Sequence, residues 1–244
     1  MRANLYAGGL AAIAAVSFAG GAAGKPLGYL FPSVTAASEY RFDGYSNSGR
    51  EPAFQTSLYL WRPDNFYAGI FTSTVKMNAP GTPSWEIDYY LGKTFETKTT
   101  RYTLEAMYTA FPDDDIYGPT LDFWQIKTAA KRKIDDRLTL GLTGAYVPEG
   151  SYRSGVAIKL VGDGSYKLTP WLSLNGAIGK RWIERGYDRT FWNGGVALSW
   201  KALMLDIRYV DTDLTPAECF FSDACESAVV SKLTFNVPMT YGAD

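Results

Sequence analysis

Histidine does not occur anywhere in the chain, and cysteine occurs only twice in 244 residues. The first absence removes the usual general base of Ser–His hydrolases and the commonest metal ligand. The second leaves too few thiols for a cysteine-rich metal site. An excess of either charge is also missing: 24 Lys and Arg stand against 25 Asp and Glu, a net charge of −1, so nucleic acid is not an expected partner. Beyond the first two dozen residues charges interrupt every apolar run, and none reaches the ~20 residues of a spanning helix. No motif implies a cofactor, and no catalytic residues are expected. Glu86 and Asp88 share a strand face, but alternating acids on a wet wall are common without chemistry.

The first residues break this pattern. Arg2 is the only charge before Lys25, and residues 5–19 are almost wholly apolar or small. A charged start, an apolar centre and a small-residue exit describe a secretory signal peptide, here 1–24, with cleavage near Ala19 or within 21–24. The rival reading, a membrane anchor, suffers from a core that is short and rich in Gly and Ala. Residues 25–244 then form one exported domain of about 220 residues.

Aromatic residues are plentiful, at 15%. They fall within a succession of alternating segments at 34–43, 53–61, 66–76, 85–95, 101–111, 121–132, 137–147, 155–168, 172–182, 190–200, 203–210 and 228–237. Most approach the ~9–11 residues a tilted strand needs to cross a bilayer, longer than the ~5–6 usual in soluble sheets. In 85–95 one face carries Trp85, Ile87, Tyr89, Leu91 and Phe95, and the other Glu86, Asp88, Tyr90, Gly92 and Thr94. Side chains alternate across a strand, so one face suits lipid and the other water. Segment 66–76 is apolar on both faces and its phase stays unassigned. No stretch sustains a helical period.

The connections alternate too. Tight links at 62–65, 97–100, 133–136, 169–170 and 201–202 separate longer ones at 45–52, 77–84, 112–120, 148–154, 183–189 and 211–227. Outer-membrane barrels place short turns in the periplasm and longer loops outside, with an even number of strands. The expected fold is therefore an all-β, closed antiparallel transmembrane β-barrel of about twelve strands, located in the outer membrane. Its expected partners are outer-membrane lipid, small hydrophilic solutes or ions, and the barrel-assembly machinery, which an alternating last strand with Phe235 near its end suits.

Residues 34–44, Phe66-Tyr-Ala-Gly-Ile-Phe-Thr-Ser73, Glu86-Ile-Asp-Tyr-Tyr-Leu-Gly92 and Tyr209-Val-Asp-Thr-Asp213 ahead of Cys219 and Cys225 resemble the TorF-type porin family of bacteria. The likeness runs in order through nearly the whole exported chain. It departs at Asp43, where Arg is more usual, and in a tail extended beyond Phe235. It implies an exported barrel, and no catalytic residues.

Under the assigned phases the wet face carries Glu39, Arg41, Glu86, Asp88, Arg101, Glu105, Arg137, Lys159, Arg181, Asp206 and Arg208 as pore-lining candidates, with Lys127, Lys131, Asp163, Lys167 and Lys232 beside them. Rings of charge set pore selectivity, and the basic excess points to anions. The same charges could instead neutralise one another and plug the lumen, giving a closed barrel with a structural or partner-binding role. A soluble barrel around an apolar ligand would need every phase inverted. Cys219 and Cys225, in one loop of an exported chain, are expected to form a disulfide rather than a metal site. The seven tryptophans fall near strand ends, as interfacial girdles require, with a carbohydrate-stacking platform as the alternative. Acidic loops at Asp113, Asp114, Asp115 and 211–226 read as solvated faces.

Overall fold

The computed structural model describes residues 27–77, 82–112, 121–237 and 239–241. The leader expected at 1–24 and the acidic run at Asp113, Asp114 and Asp115 lie outside the described residues. Among those residues twelve strands form the wall: β1 (Gly28–Ala37), β2 (Ala53–Trp61), β3 (Phe66–Thr74), β4 (Trp85–Glu96), β5 (Thr100–Ala110), β6 (Phe123–Lys133), β7 (Leu138–Val147), β8 (Ala157–Lys167), β9 (Leu172–Ile183), β10 (Arg189–Trp200), β11 (Leu203–Thr212) and β12 (Ala228–Asn236). Each pairs antiparallel with its sequence neighbours, and β12 pairs back onto β1 from Ser33↔Asn236 to Ala37↔Lys232, which closes the ring. No helix among the described residues is long and apolar enough to cross a membrane.

The closing seam is longer than β12. Met239–Tyr241 pairs with Leu30, Tyr29 and Gly28 in the same register, so the last strand resumes beyond Val237. Residues 239–241 of the tail beyond Phe235 are thus part of the wall.

The registers also set the size of the cylinder. Followed around the ring, they return to β1 displaced by about 16 residues, which for twelve strands means a tilt near 45° and a backbone radius of about 12 Å. Side chains reaching inward from both sides leave a passage of roughly 12 Å, unless something else occupies it.

Exposure follows the alternation. Leu91, Leu142, Ile178 and Val229 are 54–67% exposed on the outside, whereas Glu86, Asp88, Glu105 and Asp206 are 4–7% exposed on the inside. A soluble monomer rarely shows so continuous an apolar surface; this one meets hydrocarbon. Trp85, Trp124 and Trp182 ring the outer ends of strands, and Phe66, Phe95, Trp171 and Trp200 the inner ends, all exposed. Lys93 lies on the outside over Phe66 (4.2 Å), and Lys180 lies 6.0 Å from Trp182, as cations do when they reach from hydrocarbon to the interface. The phase left open at β3 resolves with Tyr67 and Ser73 inward and Phe66 outward.

Trp61 corrects the girdle expectation. It is 8% exposed inside the barrel, and its ring stacks on Tyr67 at 4.4 Å. Odd residues of β2 face inward, and that parity overrides its position at a strand end.

Candidate functional site

The interior is not an empty cylinder. The first strand ends at Ala37 rather than at the expected Asp43, and the chain then folds back into the outer mouth. Arg41 pairs with Ser46 and Phe42 with Tyr45, so Asp43-Gly44 is a two-residue hairpin turn, with φ of 50° and 84°. Both central positions have positive φ, the geometry that favours Asp-Gly. Gly44 has a second reason to be glycine: a Cβ there would stand 2.7 Å from Cβ of Thr212 and 3.2 Å from Cβ of Phe191. The hairpin tip is seated against β10 and β11.

From that seat Asp43 meets the wall nearly opposite its own strands. Lys159 Nζ donates to Oδ1 at 3.1 Å and Arg181 Nη1 to Oδ2 at 3.0 Å, with Arg189 Nη2 3.9 Å from Oδ2. Phe42 packs beneath the same cations, its ring centre 4.5 Å from Lys159 Nζ and 5.5 Å from the Arg181 guanidinium carbon. Burial alone would raise the Asp43 pKa, but Lys159, Arg181 and Arg189 outweigh it and hold the carboxyl below the usual aspartate range.

The other side of the hairpin is fastened to the near wall. Tyr40 donates to Glu86 Oε1 at 2.6 Å and Asn47 Nδ2 to Glu86 Oε2 at 3.3 Å, while within the hairpin segment Arg41 Nε donates to Glu39 Oε1 at 2.8 Å. Tyr40 also joins a small apolar cluster with Ala37, Ala53, Val75, Phe111 and Leu121 in the mouth. Arg50 reaches Asp223 O at 3.0 Å in the loop closed by the Cys219–Cys225 disulfide. A ribbon about 5 Å between strand axes, with its side chains, takes up most of the passage estimated above.

Register explains how the wall presents its charges. Glu105, Lys127, Ala145, Lys159, Arg181 and Arg189 are successive cross-strand partners on β5 to β10, so they form one row along the hydrogen-bonding direction. Strand tilt turns that row into a ramp that rises from mid-wall to the outer mouth. Arg208 and Lys232 extend the basic arc through β11 and β12. Arg208 is held by Asp206 in a two-pronged pair at 2.6 and 2.8 Å and by Asn193 at 3.0 Å. Acids gather on the facing arc. Asp88 accepts from Thr109 at 2.5 Å and from Tyr90 at 2.7 Å, and Glu105 accepts from Tyr67 and pairs with Lys127. The Tyr67 ring lies over Gly92, where any side chain would collide with it. A basic arc facing an acidic one polarises the lumen across its width.

Most of the expected inward charges fall on this surface: Glu86, Asp88, Arg101, Glu105, Lys127, Lys131, Lys159, Asp163, Arg181, Asp206, Arg208 and Lys232. Glu39 and Arg41 lie inside the mouth, but on the hairpin rather than on the wall. Arg137 lies off the wall strands, in the exposed turn before β7, with Lys167 exposed across from it at the end of β8. Asp43 and Arg189 were missed. Asp43 reads as the end of an alternating strand, and Arg189 as the last residue of a loop. The Asp-Gly pair between Phe42 and Tyr45 is the signal that could have found the hairpin.

A family model described as "Bacterial protein of unknown function (Gcw_chp)" matches residues 23–241. No curated protein matches the chain. Solved structures share the fold at very low identity. The KdgM porin aligns at 5% identity with a TM-score of 0.56, covering 86% of this chain and 98% of that one. The NanC porin aligns at 9% identity and 0.56, covering 83% and 97%. An outer membrane channel from Pseudomonas putida F1 aligns at 12% identity and 0.54, covering 88% and 97%. The KdgM porin is also similar in its complex with disordered oligogalacturonate, at 6% identity and a TM-score of 0.56.

Proposed function

The chain belongs to the Gcw_chp family, and from that premise and the charged interior we propose that it is an outer-membrane, porin-like channel for passive diffusion of small hydrophilic solutes, favouring anions. The observation that carries the reading is the ramp of cations inside an apolar-belted barrel. Lys127, Lys159, Arg181 and Arg189 stand in register on the inner face, where a purely structural wall would gain nothing from placing like charges side by side. Rings and arcs of charge set selectivity in pores, and basic ones favour anions. The likeness to porin folds supports a channel, and the KdgM complex with an oligogalacturonate fits a basic interior. The resemblance to TorF-type porins agrees with the same class. In this reading residues 1–24 are removed on export, the domain is 25–244, and Glu86, Asp88, Arg101, Glu105, Lys159, Arg181, Asp206 and Arg208 line the path. The protein has no catalytic role.

A second reading has its own observation. The hairpin occupies the mouth and pairs its charges with the wall, which suits a closed barrel that braces the envelope or binds a partner. Planar-bilayer recordings separate the two. The channel reading expects discrete conductance steps with a reversal potential on the anion side. Silent membranes containing correctly folded protein would leave the closed barrel.

A further inference from the structure

Three cations placed in direct cross-strand register are an unfavourable arrangement in themselves. Lys159 partners Arg181 and Arg181 partners Arg189, so like charges are neighbours on β8, β9 and β10 with no acid between them on the wall. Such pairs destabilise a sheet unless something of opposite charge joins them. In this structure the joining group is the Asp43 carboxylate, brought from the far side of the barrel on a hairpin. It does not satisfy the cluster fully. The Nε atoms of Arg181 and Arg189 are buried without a hydrogen-bond partner among the described residues. Arg181 as a whole is 8% exposed. A wall that needs an anion, and has donors to spare once it holds one, is a binding surface.

We propose that Lys159, Arg181 and Arg189 form a carboxylate-binding site of the lumen, which Asp43 occupies in the resting barrel and which the carboxylate of an acidic solute takes over when the hairpin swings out. The inference deepens the channel reading and rests on it for the solute's direction of travel. The chemistry that would be recognised is set by what Asp43 supplies: two oxygens on one carbon, both bridged by the Lys159 ammonium at 3.1 and 3.3 Å and one of them also facing the two guanidiniums. Planar donors match a carboxylate in this way, whereas a single halide can meet only part of the set. The Phe42 ring lies against two of the cations and leaves with the hairpin, so the site widens as it is vacated. Lys127 lies next along the ramp beyond Ala145 and is already paired with Glu105, so the three clustered cations alone make the site.

Two variants remove the occupant by independent routes. Asp43→Asn keeps the shape of the turn and deletes its charge. Gly44→Val keeps every charge and prevents the tip from seating against Thr212 and Phe191. Titration calorimetry with citrate, on protein purified from membranes in detergent and verified as folded by heat-modifiable gel mobility, gives the readout. Both variants should bind citrate at least about tenfold more tightly than wild type, because the internal competitor is gone. Adding Arg181→Gln to Asp43→Asn should cancel that gain. Equal affinity in wild type and either folded variant overturns the proposal, as does tight binding that survives Arg181→Gln. The channel reading fails separately: citrate binding as expected, with no conductance steps from any variant, removes transport and leaves the site. Conductance steps with flat titrations do the reverse.

Discussion

At the residue scale, Asp43 governs the interior and its titration has a definite sign. Burial opposes its charge, and Lys159, Arg181 and Arg189, facing it from β8, β9 and β10, more than compensate. Its docked pKa therefore lies below the usual aspartate range. From its own hairpin it is accompanied by Arg41, paired to Glu39, and by Tyr45. A depressed pKa means that docking is fully supported above the ordinary aspartate range and loses support as pH falls through the lower, docked value. Wild type and Asp43→Asn should therefore differ in conductance at neutral pH and converge only in strongly acidic solution. Bilayer recordings of both proteins across that range check it, and a difference that persists unchanged into acid would contradict it. Sequence reasoning reached Lys159 and Arg181 because strand parity alone fixes their side. It lost Asp43 because the alternation of 34–37 continues by accident through 38–43, where the chain has already left the wall. Trp61 shows the converse: composition at a strand end suggested lipid, and parity placed it inside.

At the scale of elements, length and alternation were enough to find the wall strands, since both are imposed by bilayer thickness and by the two-residue period. The turns were legible for the same reason, as short and long links serve different sides. What could not be read was where a long loop goes. The path of 38–52 depends on contacts with strands more than a hundred residues later, such as Lys159 and Arg181, and no local pattern encodes them. The seam was half legible. The alternating strand ending near Phe235 was evident, but its resumption at Met239–Tyr241 depends on β1 beginning at Gly28, upstream of the expected 34. Those three residue pairs extend the seam between the first and last strands of the wall. Deleting 238–244 should leave a closed barrel, held from Ser33↔Asn236 to Ala37↔Lys232, that is less stable by about 2–3 kcal/mol at roughly 1 kcal/mol per lost hydrogen bond. Urea unfolding in lipid vesicles measures this. An unchanged midpoint would show that the terminal pairing contributes nothing.

At the scale of the molecule, the account reduces to an orientation. A twelve-strand cylinder of this tilt is too wide for side chains alone to fill, and a hairpin folded into it takes up most of the remaining width. Its charges can face inward only because the lumen is wet, since Arg or Lys turned to the bilayer midplane would cost about 2–4 kcal/mol each. Transport, the ramp and the occupied cation cluster all presuppose that arrangement. The most direct test is substituted-cysteine labelling along β9 in lipid vesicles, where the native Cys219–Cys225 disulfide leaves no free thiol. Cysteines at Asn175 and Ala177 should react with a water-soluble maleimide, and cysteines at Leu174 and Ile178 should resist it. Uniform labelling of all four, or labelling in the opposite phase, would contradict the account.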